Sequence, residues 1–241
     1  MMLAVIFDLG GTLLEFNPQR LSWLEWERQG IESAYAYLSS QGCRVDKEAF
    51  VARFIASLPE RWQEATEGGR NLRLDDMLRE ACAAGGAAPV REEIARAVAH
   101  YIAPLDAHVT AYDDALGTLR ALRERGLKIG LLSNTMWPGA YHRQEMARFG
   151  LLSYFDCVAF SADVALWKPQ PAIYHLALDG LGVSAADAFF VGDIPQHDLV
   201  GAQAVGMRTV YKANPAFALD GIHADATIAH LAELPSLVDR W

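Results

Sequence analysis

The stretch Ile6-Phe7-Asp8-Leu9-Gly10-Gly11-Thr12-Leu13 (IFDLGGTL) decides how this chain is read. Together with Leu3, Ala4 and Val5 it forms an apolar run, LAVIF at 3–7, that reads as a buried strand and stops at a carboxylate. Gly11 then permits a tight bend, and Thr12 has a hydroxyl to brace the turn by hydrogen bonding. Asp8 alone also reads as a strand terminator, so the weight falls on what the rest of the chain places beside it.

Outward from this stretch the chain changes character twice. Residues 15–105 are helical in pattern, with apolar spacing in WLEWERQGIESAYAYL, FVARFIASLPERW, LDDMLREACAA and REEIARAVAHYI. Gly42, Gly68-Gly69 and Gly85-Gly86 followed by Pro89 punctuate them, which predicts an insert of about four helices. From Asp106 onward helices and strands alternate. Helices are predicted over 112–125, 138–149, 170–179 and 197–205, and strands over 127–132, 156–160, 188–192 and 207–211. A short strand at 226–228 and a helix at 231–239 follow. The fold class is therefore α/β, a Rossmann-like, mostly parallel sheet with helices on both faces and an inserted all-helical domain. The first strand joins that sheet, because alone it satisfies neither its backbone hydrogen bonds nor the burial of LAVIF. The expected domains are 1–14 with 106–241, and 15–105.

A length of 241 residues, 52% of them hydrophobic, suffices for one large domain or a domain with a substantial insert. Thirty acidic against 21 basic residues give a formal charge of −9, which opposes non-specific attraction to nucleic acid or an anionic membrane. Only Lys47, Lys128, Lys168 and Lys212 are lysines, so each is informative by scarcity. Cys43, Cys82 and Cys157 lie far apart without a CxxC pair, which argues against a disulfide framework or a sulfur-rich zinc site and fits a reducing compartment. The start has no basic leader and turns polar too early for a signal peptide or a membrane span, so a cytoplasmic location is expected.

Polar residues follow the carboxyl ends of several predicted strands, the edge at which open α/β sheets bind ligands. Asp8 ends the first strand, Ser133 and Asn134 end the next, and Asp193 follows AFFVG; Lys168 lies in the loop that opens a later helix. Two carboxylates beside one lysine can hold Mg²⁺ and still offset charge on an anionic substrate, while small turn residues let backbone N–H groups approach its oxygens. A carboxylate is a weak nucleophile toward phosphorus and needs that electrostatic help. The structural alternatives are a solvated or helix-start Asp198, capping roles for Ser133 and Asn134, and a surface-loop Lys168.

In order, DLGGT, LLSNT, WKP and GDIPQHD carry Asp8, Ser133 with Asn134, Lys168, and Asp193 with Asp198. With these four motifs and a helical insert after the first, the chain resembles the haloacid dehalogenase superfamily over essentially its whole length. The similarity is to the phosphatase-like branch that carries a helical cap between the first and second motifs. This resemblance implies that Asp8 is the nucleophile, forming an aspartyl-phosphate that water cleaves. Mg²⁺ would be held by the Asp8 carboxylate, the backbone carbonyl of Gly10 and Asp193. Asp198 would organise water or Lys168, Ser133 and Asn134 would bind phosphate, and Lys168 would neutralise charge there. Gly10, Gly11 and Thr12 would support the turn.

Gly10 is the departure from that pattern, since such phosphatases carry an acid/base aspartate at this position. Its absence leaves the backbone carbonyl in place and removes the proton donor and later base. Such help is worth about 10²–10⁴ in rate, or roughly 3–5 kcal/mol. Alkyl phosphates should suffer most, having the poorest leaving oxygen. Haloacid dehalogenases also lack the second aspartate, but their usual residue there is aromatic and their last motif differs from GDIPQHD. Phosphonoacetaldehyde hydrolases carry a small residue there but need a cap lysine, and Lys47, in a polar first turn, reads as helix surface.

The expectation is a Mg²⁺-dependent phosphatase of a small phosphorylated metabolite, with weak or leaving-group-restricted activity. The alternatives are a catalytically impaired phosphate-binding or interaction protein and a 2-haloacid dehalogenase. The expected partner is a small phosphorylated molecule, not nucleic acid or membrane, with the protein a monomer or homodimer. Trp23, Trp26 and Trp62 read as helix packing, and Arg20, Arg61, Arg70 and Arg73 as solvated groups. Trp137 and Trp167 either line the cleft or pack, and His197 is a weak substitute for the missing acid.

Overall fold

A computed structural model describes residues 2–18, 21–68 and 71–241. The chain runs through β1 (Ala4–Phe7), β2 (Leu14–Glu15), α1 (Trp23–Ser40), α2 (Lys47–Thr66), α3 (Leu74–Ala84), α4 (Arg91–Asp106) and β3 (Thr110–Ala111). It continues through α5 (Ala115–Glu124), β4 (Lys128–Ser133), α6 (Gly139–Arg148), β5 (Cys157–Phe160), α7 (Ser161–Val164) and α8 (Pro171–Leu181). The last elements are β6 (Ala188–Gly192), α9 (Pro195–Ala204), β7 (Arg208–Lys212), β8 (Ala226–Ile228) and α10 (Leu234–Val238).

Two compact units result. One holds the residues up to Glu15, Ala111–Thr135 and Gly139–Trp241; the other holds Phe16–Thr110 and Met136–Pro138. The short segment Met136–Pro138, which the sequence division leaves with the α/β unit, groups with the helices for a local reason. The Met136 carbonyl accepts from the Leu74 amide at 2.9 Å, and Trp137 stacks on Trp26 with ring centroids 6.1 Å apart.

In the α/β unit six strands form one sheet in the order β5-β4-β1-β6-β7-β8. Every registered pair is parallel, so the sheet is of the type covered by helices and built from near-continuous apolar strands. β1 lies at its centre between β4 and β6. Ala4 and Ile6 project to one face, in a core shared with Ile173, Tyr174 and Ala177 of α8 and Ala202 of α9. On Phe189 the Trp241 ring packs edge-on, with centroids 5.2 Å apart. β2 and β3 pair as a separate two-stranded ribbon.

In the helical unit Ser22 and Glu25 form a capping box at the start of α1, with the Glu25 amide donating to Ser22 Oγ at 3.3 Å. Asp46 caps α2 by accepting from the Ala49 amide at 2.8 Å. α1 packs on α4 and α2 on α3. Gly30 permits the first of these approaches, since a Cβ there would stand 2.9 Å from the Tyr101 ring. Among the described residues no helix is long and apolar enough to cross a membrane.

Candidate active site

The register pairs Phe7 of β1 with Leu131 of β4 and Val191 of β6, so the residues just beyond all three strands emerge at one edge. The Asp8 amide donates to the Val191 carbonyl at 2.9 Å, carrying the ladder one residue past β1 and fixing the carboxylate at the rim. Asp8 Oδ1 accepts from Ser133 Oγ at 3.1 Å and from Lys168 Nζ at 2.6 Å. The same ammonium donates to Asp198 Oδ1 at 2.6 Å, while Asp198 Oδ2 accepts from the Ile194 amide at 2.9 Å. Lys168 and Asp198 are 2% and 1% exposed, so this is a desolvated ion triad and not a surface pair.

Lys168 reaches the triad from a loop clamped by Asn134. The Lys168 amide donates to Asn134 Oδ1 at 2.8 Å, and Asn134 Nδ2 donates back to the Lys168 carbonyl at 3.0 Å. Gly192 is needed at the end of β6, because a Cβ there would come within 2.3 Å of the Asp198 carboxylate. Gly11 is needed twice over. Its φ is +74°, and a Cβ would lie 2.1 Å from Asp193 Oδ2.

Asp193 accepts from Asn214 Nδ2 at 2.6 Å and, more weakly, from Thr12 Oγ1 at 3.4 Å. Burial, with the charges of Asp8 and Asp198 adding to it, pushes its carboxyl up to about 8. Burial also raises Asp8, against the pull of Lys168, with Asp198 adding to the rise. Burial lowers the Lys168 pKa, but Asp198 and Asp8 outweigh it and hold it above the ordinary lysine value. With Lys168 charged and bonded to Asp8 and Asp198, the site still holds acidic groups in excess, and near pH 7 Asp193 meets that excess by keeping its proton.

Such crowding of acids suits a cation. Carboxylate oxygens of Asp8, Asp193 and Asp198 lie within 4.8 Å of one another, a hard-oxygen donor set of the kind that takes Mg²⁺. Asp198 has one oxygen on the Lys168 ammonium and the other on the Ile194 amide, whereas the donors to Asp193, Asn214 and Thr12, are neutral and weaker rivals of a cation, so Asp8 and Asp193 are the carboxylates suited to a metal.

The sequence reading missed two residues at this edge. Lys212, at the end of β7, donates from Nζ to the Gly11 carbonyl at 2.8 Å and lies 3.7 Å from the centroid of the Tyr112 ring. Burial lowers its pKa, opposed chiefly by Asp193. Asn214 is the second. The scarcity of lysine marked Lys212, but no motif drew it to the site.

The remaining candidates sort by environment. His197 stands half-buried in the first turn of α9, and burial, helped by the Lys168 charge, lowers its pKa to about 4. It is therefore a neutral imidazole near pH 7. Trp167 is buried, and Trp137 packs with Trp26 and Phe16 in the helical unit. Trp23 and Trp62 are exposed rather than packed, a correction to the helix-packing expectation: both stand on helix surface among charged neighbours. Arg61 is ion-paired to Glu64 and Glu80, and Arg73 to Asp75. Lys47 is exposed with its ammonium 5.6 Å from the Tyr35 ring centroid. Arg20 and Arg70 lie outside the described residues.

Comparison with known proteins identifies the family. The model of the haloacid dehalogenase-like hydrolases matches residues 2–206. The chain is 29% identical over 221 residues to a phosphoserine phosphatase of Thermus thermophilus, covering 86% of this chain and 87% of that one. A HAD phosphatase structure from Thermococcus onnurineus superposes with a TM-score of 0.69 at 26% identity over 98% of both chains. A 2-haloacid dehalogenase structure from Pseudomonas syringae pv. Tomato, 24% identical with a TM-score of 0.72 over 100% of both chains, shares the fold. A family match over most of the chain, joined to strand-end acids held on a buried lysine, makes the protein a member of the haloacid dehalogenase-like hydrolases, an enzyme of their phosphatase branch.

Proposed function

We propose that the enzyme hydrolyses a small phosphorylated metabolite in a Mg²⁺-dependent reaction, with Asp8 as nucleophile and a preference for good leaving groups. The observation that carries this reading is the Lys168 ammonium, 2.6 Å from both Asp8 and Asp198, with the Ser133 hydroxyl on the same Asp8 oxygen. This arrangement orients the carboxylate and supplies positive charge where a phosphoryl group would arrive.

Asp8 attacks phosphorus in line. An Asp8 oxygen–phosphorus bond forms as the bond to the leaving oxygen breaks, and that oxygen takes its proton from solvent because Gly10 has no acid to offer. Water then attacks phosphorus, releasing inorganic phosphate and restoring the Asp8 carboxylate. Ser133 and Lys168 hold phosphoryl oxygens, Asn134 keeps Lys168 in place, and Asp198 anchors the ammonium. Asp8, Asp193 and the Gly10 carbonyl would hold Mg²⁺, which when bound supplies charge neutralisation for the incoming phosphate. His197 is a neutral imidazole near pH 7, too weak an acid to replace the missing one. The partner is a small molecule, in a protein whose net charge of −9 disfavours nucleic acid and anionic membranes.

The test is phosphate release from an aryl, an acyl and an alkyl phosphate, with and without Mg²⁺, in wild type, Asp8→Asn and Gly10→Asp. Turnover of the activated esters that needs Asp8, with an alkyl-phosphate gain in Gly10→Asp of about 10²-fold or more, is expected. A folded wild type that turns over none of the three, in a background where Gly10→Asp restores hydrolysis, would instead identify a phosphate-binding protein. Halide release from a 2-haloacid would identify dehalogenase chemistry.

A further inference from the structure

The loop that follows β4 rests on a second buried polar network, separate from the Asp8–Lys168–Asp198 triad. Thr135, two residues beyond Ser133, has its Oγ1 2.7 Å from His142 Nε2, and His142 Nδ1 is 2.6 Å from Glu145 Oε2. His142 and Glu145 are 4% and 2% exposed, so a hydroxyl, an imidazole and a carboxylate are lined up inside the protein. In the Nδ1–H tautomer of a neutral imidazole the carboxylate accepts from Nδ1–H, and Nε2 is then the acceptor for the Thr135 hydroxyl.

The Thr135 backbone is held as well. Its amide donates to Ser161 Oγ at 2.8 Å, and its carbonyl accepts from the same hydroxyl at 3.0 Å. Ser161 is fully buried at the start of α7, and the Phe160 ring before it packs on His142 with centroids 5.1 Å apart. Further along, the Gly139 amide donates to Asp163 Oδ1 at 3.1 Å. One loop is thus tied at its side chain to α6 and at its backbone to α7. Immediately before those ties come the hydroxyl that touches Asp8, on the last residue of β4, and the side-chain amide that clamps Lys168. An ionisable pair this deep is costly and adds little stability over an apolar pair of the same shape. What it does supply is a fixed direction.

We infer that Glu145, His142 and Thr135 are positioning residues that fix the Ser133–Asn134 segment for phosphate, acting through Thr135 and touching no reacting atom themselves. The inference rests on the phosphatase reading for its kinetic consequence, but not for its structural one. Thr135→Val removes the hydroxyl and keeps the shape, and Thr135→Ser restores the hydroxyl. Three readouts apply: the Kd of inorganic phosphate by calorimetry, the separate KM and kcat for an aryl phosphate, and the hydrogen-exchange rate of the residue 135 amide.

The expected result is about a 10-fold weaker phosphate Kd and higher KM in Thr135→Val, with faster exchange of the residue 135 amide, while Thr135→Ser stays within about twofold of wild type. Glu145→Gln, which leaves the hydroxyl in place, should fall between them. Unchanged amide exchange in a folded Thr135→Val overturns the inference, as does unchanged phosphate affinity. If wild type neither binds phosphate nor turns over the ester, the phosphatase reading fails, and the exchange rates still decide whether this network holds the loop.

Discussion

Each unit of this protein buries a carboxylate that resists ionisation; burial is the first cause in both, and neighbouring charge adds to it in only one. In the helical unit Glu27 of α1 accepts from the Tyr101 hydroxyl of α4, and burial raises its pKa to about 7. That partner is a neutral phenol. In the α/β unit Asp193 is raised to about 8 by burial and by the charges of Asp8 and Asp198. The first is a packing problem, solved by a hydrogen bond between two helices. The second is a surplus of charge at a strand edge, of the kind that a cation or a lysine relieves. A raised acid is thus no marker of a site until its causes are separated, and neighbouring charge is the cause that points to function.

Removing the nucleophile tests the contrast most strongly. Asp8→Asn should lower phosphate release by about 10⁴-fold or more while leaving the fold intact, whereas Glu27→Gln should leave turnover within about twofold. Assays at saturating aryl phosphate, with circular dichroism of both variants, check this. Lys168→Met should act on stability as well as on rate. It leaves Asp8 and Asp198 buried without their cation, a loss of about 3–5 kcal/mol in urea unfolding at pH 7. Lys168→Met combined with Asp198→Asn should recover part of that stability and none of the activity.

How much of this was legible in the sequence follows from the length of each signal. LAVIF ending at Asp8, and AFFVG ending before Asp193, are strand-length apolar runs that stop at a charge, so both positions could be read directly. The four long helices follow from their spacing. β2 and β3, at two residues each, and α7, at four, are too short to leave a period. Lys212 and Asn214 lie past the last motif. They enter the site because β7 pairs with β6 at Gly192 and Tyr211, which brings the end of β7 alongside Asp193. A lysine at the end of a predicted strand was the available clue. His142 and Glu145 gave less, since a polar i, i+3 pair on a helix reads as solvent-facing until α6 is seen to turn it inward.

A pH experiment separates the two buried acids. Both have folded pKa values above their unfolded ones, so the folded state keeps a proton that the unfolded chain gives up. Stability therefore falls as pH rises, from about 4.5 to about 7 for Glu27 and from about 3.8 to about 8 for Asp193. Each contributes a slope of at most about 1.4 kcal/mol per pH unit. In chelator, urea unfolding between pH 5 and 8 should show both. Mg²⁺ should abolish the Asp193 part, because a cation there competes with the proton and stabilises the ionised fold more as pH rises. Asp193→Asn should abolish that part without metal, and Glu27→Gln should remove only the other.

The smallest effect belongs to the charges that neither unit buries. Arg28 and Glu32 of α1 stand 3.9 Å apart with both side chains 48% exposed. An exposed i, i+4 pair gains little Coulomb energy in water and loses side-chain entropy when ordered, so Arg28→Ala should change unfolding free energy by at most about 0.5 kcal/mol. That change should fade further in about 0.5 M salt, where screening acts within a few ångströms. The slope assigned to Glu27, one position away in sequence and buried, should persist in the same salt. If salt flattened it as well, the pair would be responding to the charge of the whole surface rather than to its own burial, and the distinction between a packed acid and a crowded one would have to be drawn from Asp193 alone.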